Sequence, residues 1–195
     1  MQKGILQNDL FYCNHLGVSE NDELDIPNFT VKDHNGQGLV NYLRFMAFRE
    51  EDSGTMRTYL VRDNFSSELV GYFSLKAGLI SVNEVHTEDG VTFDTIPGIE
   101  VANFAVNRTY LQNHPETKGT GLIIFNDFIL PIIEEAAKSV GVKIIYIFAL
   151  PFERLINRYK EYGFFRLDSA SEDELHRRLK PNYDENCVFM FQQLH

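Results

Sequence analysis

Apolar and polar residues alternate in two neighbouring stretches. In Met56–Arg62, Tyr59 and Val61 fall on one face, and Thr58, Leu60 and Arg62 on the other. In Leu69–Leu75, Val70, Tyr72 and Ser74 oppose Leu69, Gly71, Phe73 and Leu75. The turn-rich link Asp63–Ser67 joins them, which predicts an antiparallel hairpin. Leu79–Val82 extends its second strand, and His86–Asp94 reads as loop. Upstream, Leu39, Tyr42, Leu43, Phe45, Met46 and Phe48 recur at helical spacing and predict a helix from Asn35 to Arg49, followed by a solvated loop, Glu50–Gly54. Residues 1–34 are weakly patterned. Ile5, Leu6, Leu10, Phe11 and Tyr12 are core candidates there, and Phe29–Val31 reads as a first strand.

Downstream of Pro97-Gly98 the pattern sharpens. Ile99–Val106 reads as a central strand, with Glu100 among the apolar side chains Ala102, Phe104 and Val106. Leu122–Val140 is apolar almost all round, which predicts a buried helix, kinked at Pro131 and stopped by Gly141. Ile144–Leu150 is a continuous apolar run, as in a strand covered on both faces and paired in parallel. Following strand and helix, it implies a right-handed crossover. Phe152–Tyr162 predicts a short helix stopped by Gly163, and Phe164–Leu167 a strand. Ser171–Glu174 predicts a capping box opening a helix that ends before Pro181. Cys187–Phe191 is the last strand. The fold class expected is mixed α/β, and with no repeat or linker the chain 1–195 is expected to be one domain.

Composition then narrows the chemistry. The formal charge is -10 over 195 residues, which argues against a broad nucleic-acid surface and fits solubility or a cationic substrate. Cys13 and Cys187 have no spacing for zinc or redox work, so free thiols, a cytoplasmic location and no metal are expected. No apolar run reaches the roughly 18 residues of a membrane span, and the N-terminus lacks the pattern of a signal peptide.

Lys118-Gly119-Thr120-Gly121 stands at a predicted helix start. Glycines there leave backbone N–H groups open to an anion, and the helix dipole favours negative charge. A tight turn alone would read the same way. Neither GxxxxGK[ST] nor GxGxxG is present.

The order strand, GxG, helix, strand, helix, with Tyr159-Lys160-Glu161-Tyr162-Gly163-Phe164 closing the last helix, resembles the acetyl-CoA-binding core of the GNAT N-acetyltransferase superfamily. The Y-x-x-x-G-F segment of that family matches in full. Its Q/R-x-x-G-x-G/A segment reads Glu116-Thr117-Lys118-Gly119-Thr120-Gly121, with Glu116 in place of Gln or Arg. Leu69-Val70-Gly71-Tyr72-Phe73 resembles its third strand. The resemblance covers roughly residues 36–168, with the cofactor core at 98–168. Phe152 and Leu155 depart from the Asn and Ala often found on the last helix.

The resemblance implies a GNAT fold with a mostly antiparallel sheet of about six or seven strands flanked by helices. It implies an acyltransferase that passes an acetyl group from acetyl-CoA to a primary amine by direct attack. Lys118, Gly119, Thr120, Gly121 and Leu122 would bind the cofactor's diphosphate end. Main-chain groups of Phe104, Ala105 and Val106 would pair with its pantetheine arm. Tyr159 would protonate the leaving thiolate. Glu100 reads either as the base that deprotonates the amine or as a strand-end carboxylate facing solvent; His86 and His114 are lesser candidates. The acceptor is expected to be a small-molecule or protein amine, with nucleic acid and membrane not expected and a homodimer possible. Two other readings stand beside this one. One is a GNAT toxin acetylating aminoacyl-tRNA, which the sequence before the hairpin resembles and the negative charge opposes. The other is a CoA-binding regulatory module without turnover.

Overall fold

The computed structural model describes residues 5–87, 90–179 and 186–194. In chain order the elements are β1 (Leu6–Gln7), β2 (Phe11–His15), α1 (Asp22–Asp25), α2 (Gln37–Phe45), α3 (Ala47–Asp52), β3 (Arg57–Asp63), β4 (Leu69–Thr87) and β5 (Gly90–Val106). Then follow α4 (Arg108–Asn113), α5 (Thr120–Ile124), a π turn (Phe125–Ile129), α6 (Leu130–Ser139), β6 (Ile144–Ala149), α7 (Glu153–Glu161), β7 (Phe165–Arg166), α8 (Ser169–Leu179) and β8 (Val188–Gln193). Among the described residues eight strands neighbour one another in the order β1-β2-β3-β4-β5-β6-β8-β7. The mixed α/β class with a mostly antiparallel sheet is as expected, with a strand more than the sequence suggested.

The chain forms two compact units, residues 1–76 with 102–132, and 77–101 with 133–195. It crosses between them inside β4, inside β5 and inside α6.

In the first unit β2 pairs antiparallel with β3, from Phe11↔Asp63 to His15↔Tyr59, and β3 pairs with β4 as the predicted hairpin, Tyr59 opposite Phe73. Its core gathers Leu16, Ile26, Phe29, Val40, Leu43, Leu60 and Tyr72. Burying one such side chain contributes roughly 1.5–3 kcal/mol. Gly71 is required by a close approach: a Cβ there would lie 2.8 Å from the Ala105 carbonyl oxygen. The buried Arg62 donates to Asp22 (2.8 Å), Asp25 (2.5 Å) and the Ser67 carbonyl (3.0 Å). Asp22 also accepts the Gly17 amide at 2.8 Å, so one guanidinium ties α1 to the hairpin.

Two expectations in this unit, and a third that runs on into the second, need correction. Phe29–Val31 is not a strand. Thr30 instead donates its amide to the Asn107 side chain (3.3 Å) and accepts from Arg108 N (2.8 Å), holding the chain against the start of α4. The helix expected over 35–49 is two helices broken at Met46, whose φ of -120° leaves α geometry, and the second runs on to Asp52. The break turns Phe45 outward to 76 % exposure. The long helix after Gly119 is not apolar all round: Ile124, Phe125, Phe128, Ile129 and Ile133 are buried, while Leu122 and Val140 are exposed. Pro131 cannot donate its amide, and the chain accommodates this with the preceding π turn, in which Leu130 N donates to Phe125 O.

In the second unit β5 and β6 run parallel, from Gly98↔Ile144 to Glu100↔Tyr146, as the continuous apolar run predicted. β6 pairs antiparallel with β8 along its whole length, and β7 with β8. Ile80, Ile144, Tyr146, Leu175 and Phe189 form its core. The segment 86–94, expected as loop, is largely strand: β4 runs to Thr87 and β5 begins at Gly90. Val85, Thr87, Val91, Thr92 and Phe93 favour that geometry, which outweighs the local turn signals. α8 opens at Ser169 rather than Ser171, because Asp168 accepts from the amides of Ala170 and Ser171 (both 3.1 Å). Glu172, inside the expected capping box, is buried and accepts from Phe189 N at 3.0 Å and Arg166 Nε at 2.9 Å. Pro181 lies outside the described residues. Cys13 and Cys187 are buried thiols, not joined in a disulfide.

Candidate active site

The residues expected to bind the cofactor all fall in the first unit. Asn107 ends β5 and caps α4, accepting from Thr109 N (3.1 Å) and donating to Leu69 O (2.8 Å). That fixes where Phe104, Ala105 and Val106 lie: Ala105 is buried against β4, and Phe104 and Val106 are half-buried. They stand beyond the last β5–β6 pair, Glu100↔Tyr146.

After α4 the chain turns, with Thr117 N donating to His114 O at 3.1 Å, and reaches Gly119 in the left-handed region at φ 72°. An L side chain is disfavoured at that angle, so glycine is required by the backbone and not by crowding, since nothing lies within 4 Å of the position its Cβ would take. Thr120 is buried and its hydroxyl donates to Thr117 O at 3.5 Å. By helix geometry the amides of Thr120, Gly121 and Leu122 have no acceptor in the preceding turn. Lys118 and Leu122 are exposed beside them. This turn fits a phosphate group: open space, donor amides, one cation and a helix start.

Tyr159 and Glu100 both fall in the second unit. Tyr159 lies in the last turns of α7, 7 % exposed, with its ring edge-on to Tyr162 (6.0 Å between centroids) and Phe164 (5.7 Å). Gly163, at φ 89°, turns the chain so that Phe164 can return against it. Burial pushes the Tyr159 phenol above its ordinary range, Tyr162 adds to that, and Arg158 opposes it. Glu100 is 5 % exposed, which removes the solvent-facing reading. It stands opposite Tyr146 on the parallel neighbour. Burial first, and then the nearby Glu100 carboxylate, push the Tyr146 phenol upward.

Tyr146 is the residue that sequence reasoning missed. It stood inside an apolar strand run, and only the register across to Glu100 gives it a role. His114, a lesser candidate, stands against Glu68 and Glu116 in the turn before Gly119. The side chain of His86 lies outside the described residues.

No family model matches the chain. The elements nevertheless compose the GNAT fold, and solved structures of that fold match over nearly the whole chain. A tyrosine-to-phenylalanine mutant of the toxin KacT superposes with a TM-score of 0.67 at 16 % identity, covering 95 % of this chain and 95 % of that one. The corresponding type of mutant of the toxin AtaT, bound to the C-terminus of the antitoxin AtaR and acetyl-CoA, gives 0.61 at 18 % identity over 92 % and 91 %. AtaT complexed with acetyl-methionyl-tRNA gives 0.62 at 18 % identity over 92 % and 93 %.

Proposed function

We propose that this chain is an acetyl-CoA-dependent N-acetyltransferase whose acceptor is the α-amino group of an aminoacyl-tRNA. The observation that carries the reading is the near-complete superposition on AtaT and KacT, including the AtaT complex with an acetylated aminoacyl-tRNA. This sets aside the expectation that nucleic acid is an unlikely partner. The turn at Gly119 fits the diphosphate of acetyl-CoA, held by the amides of Thr120, Gly121 and Leu122 with Lys118 beside them. Main-chain groups of Phe104, Ala105 and Val106 pair with the pantetheine arm. Bound acetyl-CoA supplies the thioester that the amine attacks.

The chain's own residues then move two protons. Glu100 takes one from the acceptor ammonium, directly or through water, with Tyr146 opposite it on the neighbouring strand. The amine nitrogen bonds to the acetyl carbon, the C–S bond breaks, Tyr159 donates its proton toward the departing sulfur, and the second proton of the acylated nitrogen passes through water to restore the phenol. A buried phenol keeps its proton across neutral pH. The same burial raises a thiolate's demand for one, which offsets the weaker acidity of the phenol.

The net charge of -10 favours a second reading, acetylation of a small cationic amine by the same residues. Radiolabelled acetyl-CoA incubated with charged tRNA, uncharged tRNA and a polyamine panel separates the two. Label in acid-precipitable charged tRNA alone is the expected result; label confined to polyamines moves the assignment to the second reading.

A further inference from the structure

Glu116 sets a carboxylate just ahead of Gly119, in the turn assigned above to a diphosphate. Alone, it would repel the phosphates. It is not alone. His114 Nδ1 lies 3.4 Å from Glu116 Oε1, and the same ring's Nε2 lies 2.7 Å from Glu68 Oε2. The imidazole stacks on Tyr110 with centroids 4.3 Å apart, and the Tyr110 hydroxyl donates to Asp63 Oδ2 at 2.7 Å. Backbone bonds fix the ring's place: His114 N donates to Tyr110 O at 2.9 Å, and His114 O accepts from Thr117 N. A neutral imidazole offers one donor and one acceptor, whereas a carboxylate faces each nitrogen here. Only the imidazolium, with a proton on both nitrogens, satisfies the two.

Resting on the acetyl-CoA reading, we propose that His114 is a positioning residue of the diphosphate site: its imidazolium bridges Glu68 and Glu116, and so neutralises the carboxylate that would otherwise repel the phosphates. The groups facing the ring are Glu68 from the link before β4, Glu116 from the ring's own turn, and Tyr110 from α4 with Asp63 of β3 behind it. Asn113 and Ser66 bind Glu68 in turn and keep it ionised. The bond to Glu68 is the largest cause of the upward shift of His114, opposed by a smaller desolvation and reinforced by Glu116. The sign follows: the proton is held at and below the ordinary histidine range and lost as pH rises through the raised value. Above it, one donor serves two carboxylates, and Glu116 stands uncompensated beside the phosphates.

Isothermal titration calorimetry of acetyl-CoA into the full chain, from about pH 6 to about pH 9, tests this. Wild type is expected to weaken about tenfold across that range, the scale of one charge facing two phosphate charges across water. His114→Gln should bind weakly throughout. Glu116→Gln should bind tightly and lose the step, while the cofactor's own phosphate titration is common to all three proteins. The ring-proton NMR midpoint of His114 in the ligand-free chain should fall in Glu116→Gln. Binding with parallel pH profiles in wild type and Glu116→Gln, or an unmoved midpoint, overturns the inference and leaves the acetyl-CoA reading standing. No binding by any of the three at any pH overturns both.

Discussion

At the scale of single residues, the proposed chemistry rests on one phenol and one carboxylate. Tyr159 was legible because its context is local: a tyrosine, three intervening residues, a glycine that must take positive φ, and a phenylalanine that folds back on the ring. Glu100 was legible as an oddity among apolar neighbours, but its role was not. Its burial and its neighbour Tyr146 come from a strand distant in sequence. Replacing Tyr159 by Phe keeps the packing and deletes the donor. Turnover is expected to fall by about 10²–10⁴-fold, read as thiol release, while calorimetric affinity for acetyl-CoA is unchanged. An unaltered rate would remove Tyr159 from the mechanism.

At the scale of elements, hairpins and buried strands were readable wherever the side-chain period was clean. The misreadings fall where a distant contact outweighed a local signal. Phe29–Val31 has strand-like residues, yet its hydrogen bonds go to the start of α4. The apolar spacing of 35–49 runs straight through Met46, and only the backbone shows the break. Pro131 predicted a disturbance but not its form, because a π turn leaves no mark of its own in the pattern. The tie between α1 and the hairpin was also invisible, since nothing in the weakly patterned residues 1–34 pairs Asp22 or Asp25 with an arginine some 40 positions on. Arg62→Ala should strand both carboxylates, Asp22 fully buried, and cost about 3–5 kcal/mol. Urea denaturation checks this; a loss below about 1 kcal/mol would mean the network behaves like a surface pair.

At the scale of the whole molecule, charge is the property the sequence gives completely and the fold does not alter. A net -10 steers cations inward and repels a polyanion at long range, and salt screens both effects. Raising salt from about 20 to about 150 mM should therefore lower kcat/KM for a polyamine and raise or leave unchanged that for aminoacyl-tRNA. A steep fall with tRNA would instead reveal a local cationic footprint that outweighs the total.

The three places where the chain passes between its compact units bear on how such a protein can be divided. Each lies within a strand or a helix, not in a connecting loop. A single cleavage at any of them would sever hydrogen-bonded backbone, and at each at least one fragment would lack a piece held by the other. The half that carries the Gly119 turn is two stretches of chain with a piece of the other half between them, so no single contiguous segment holds it alone.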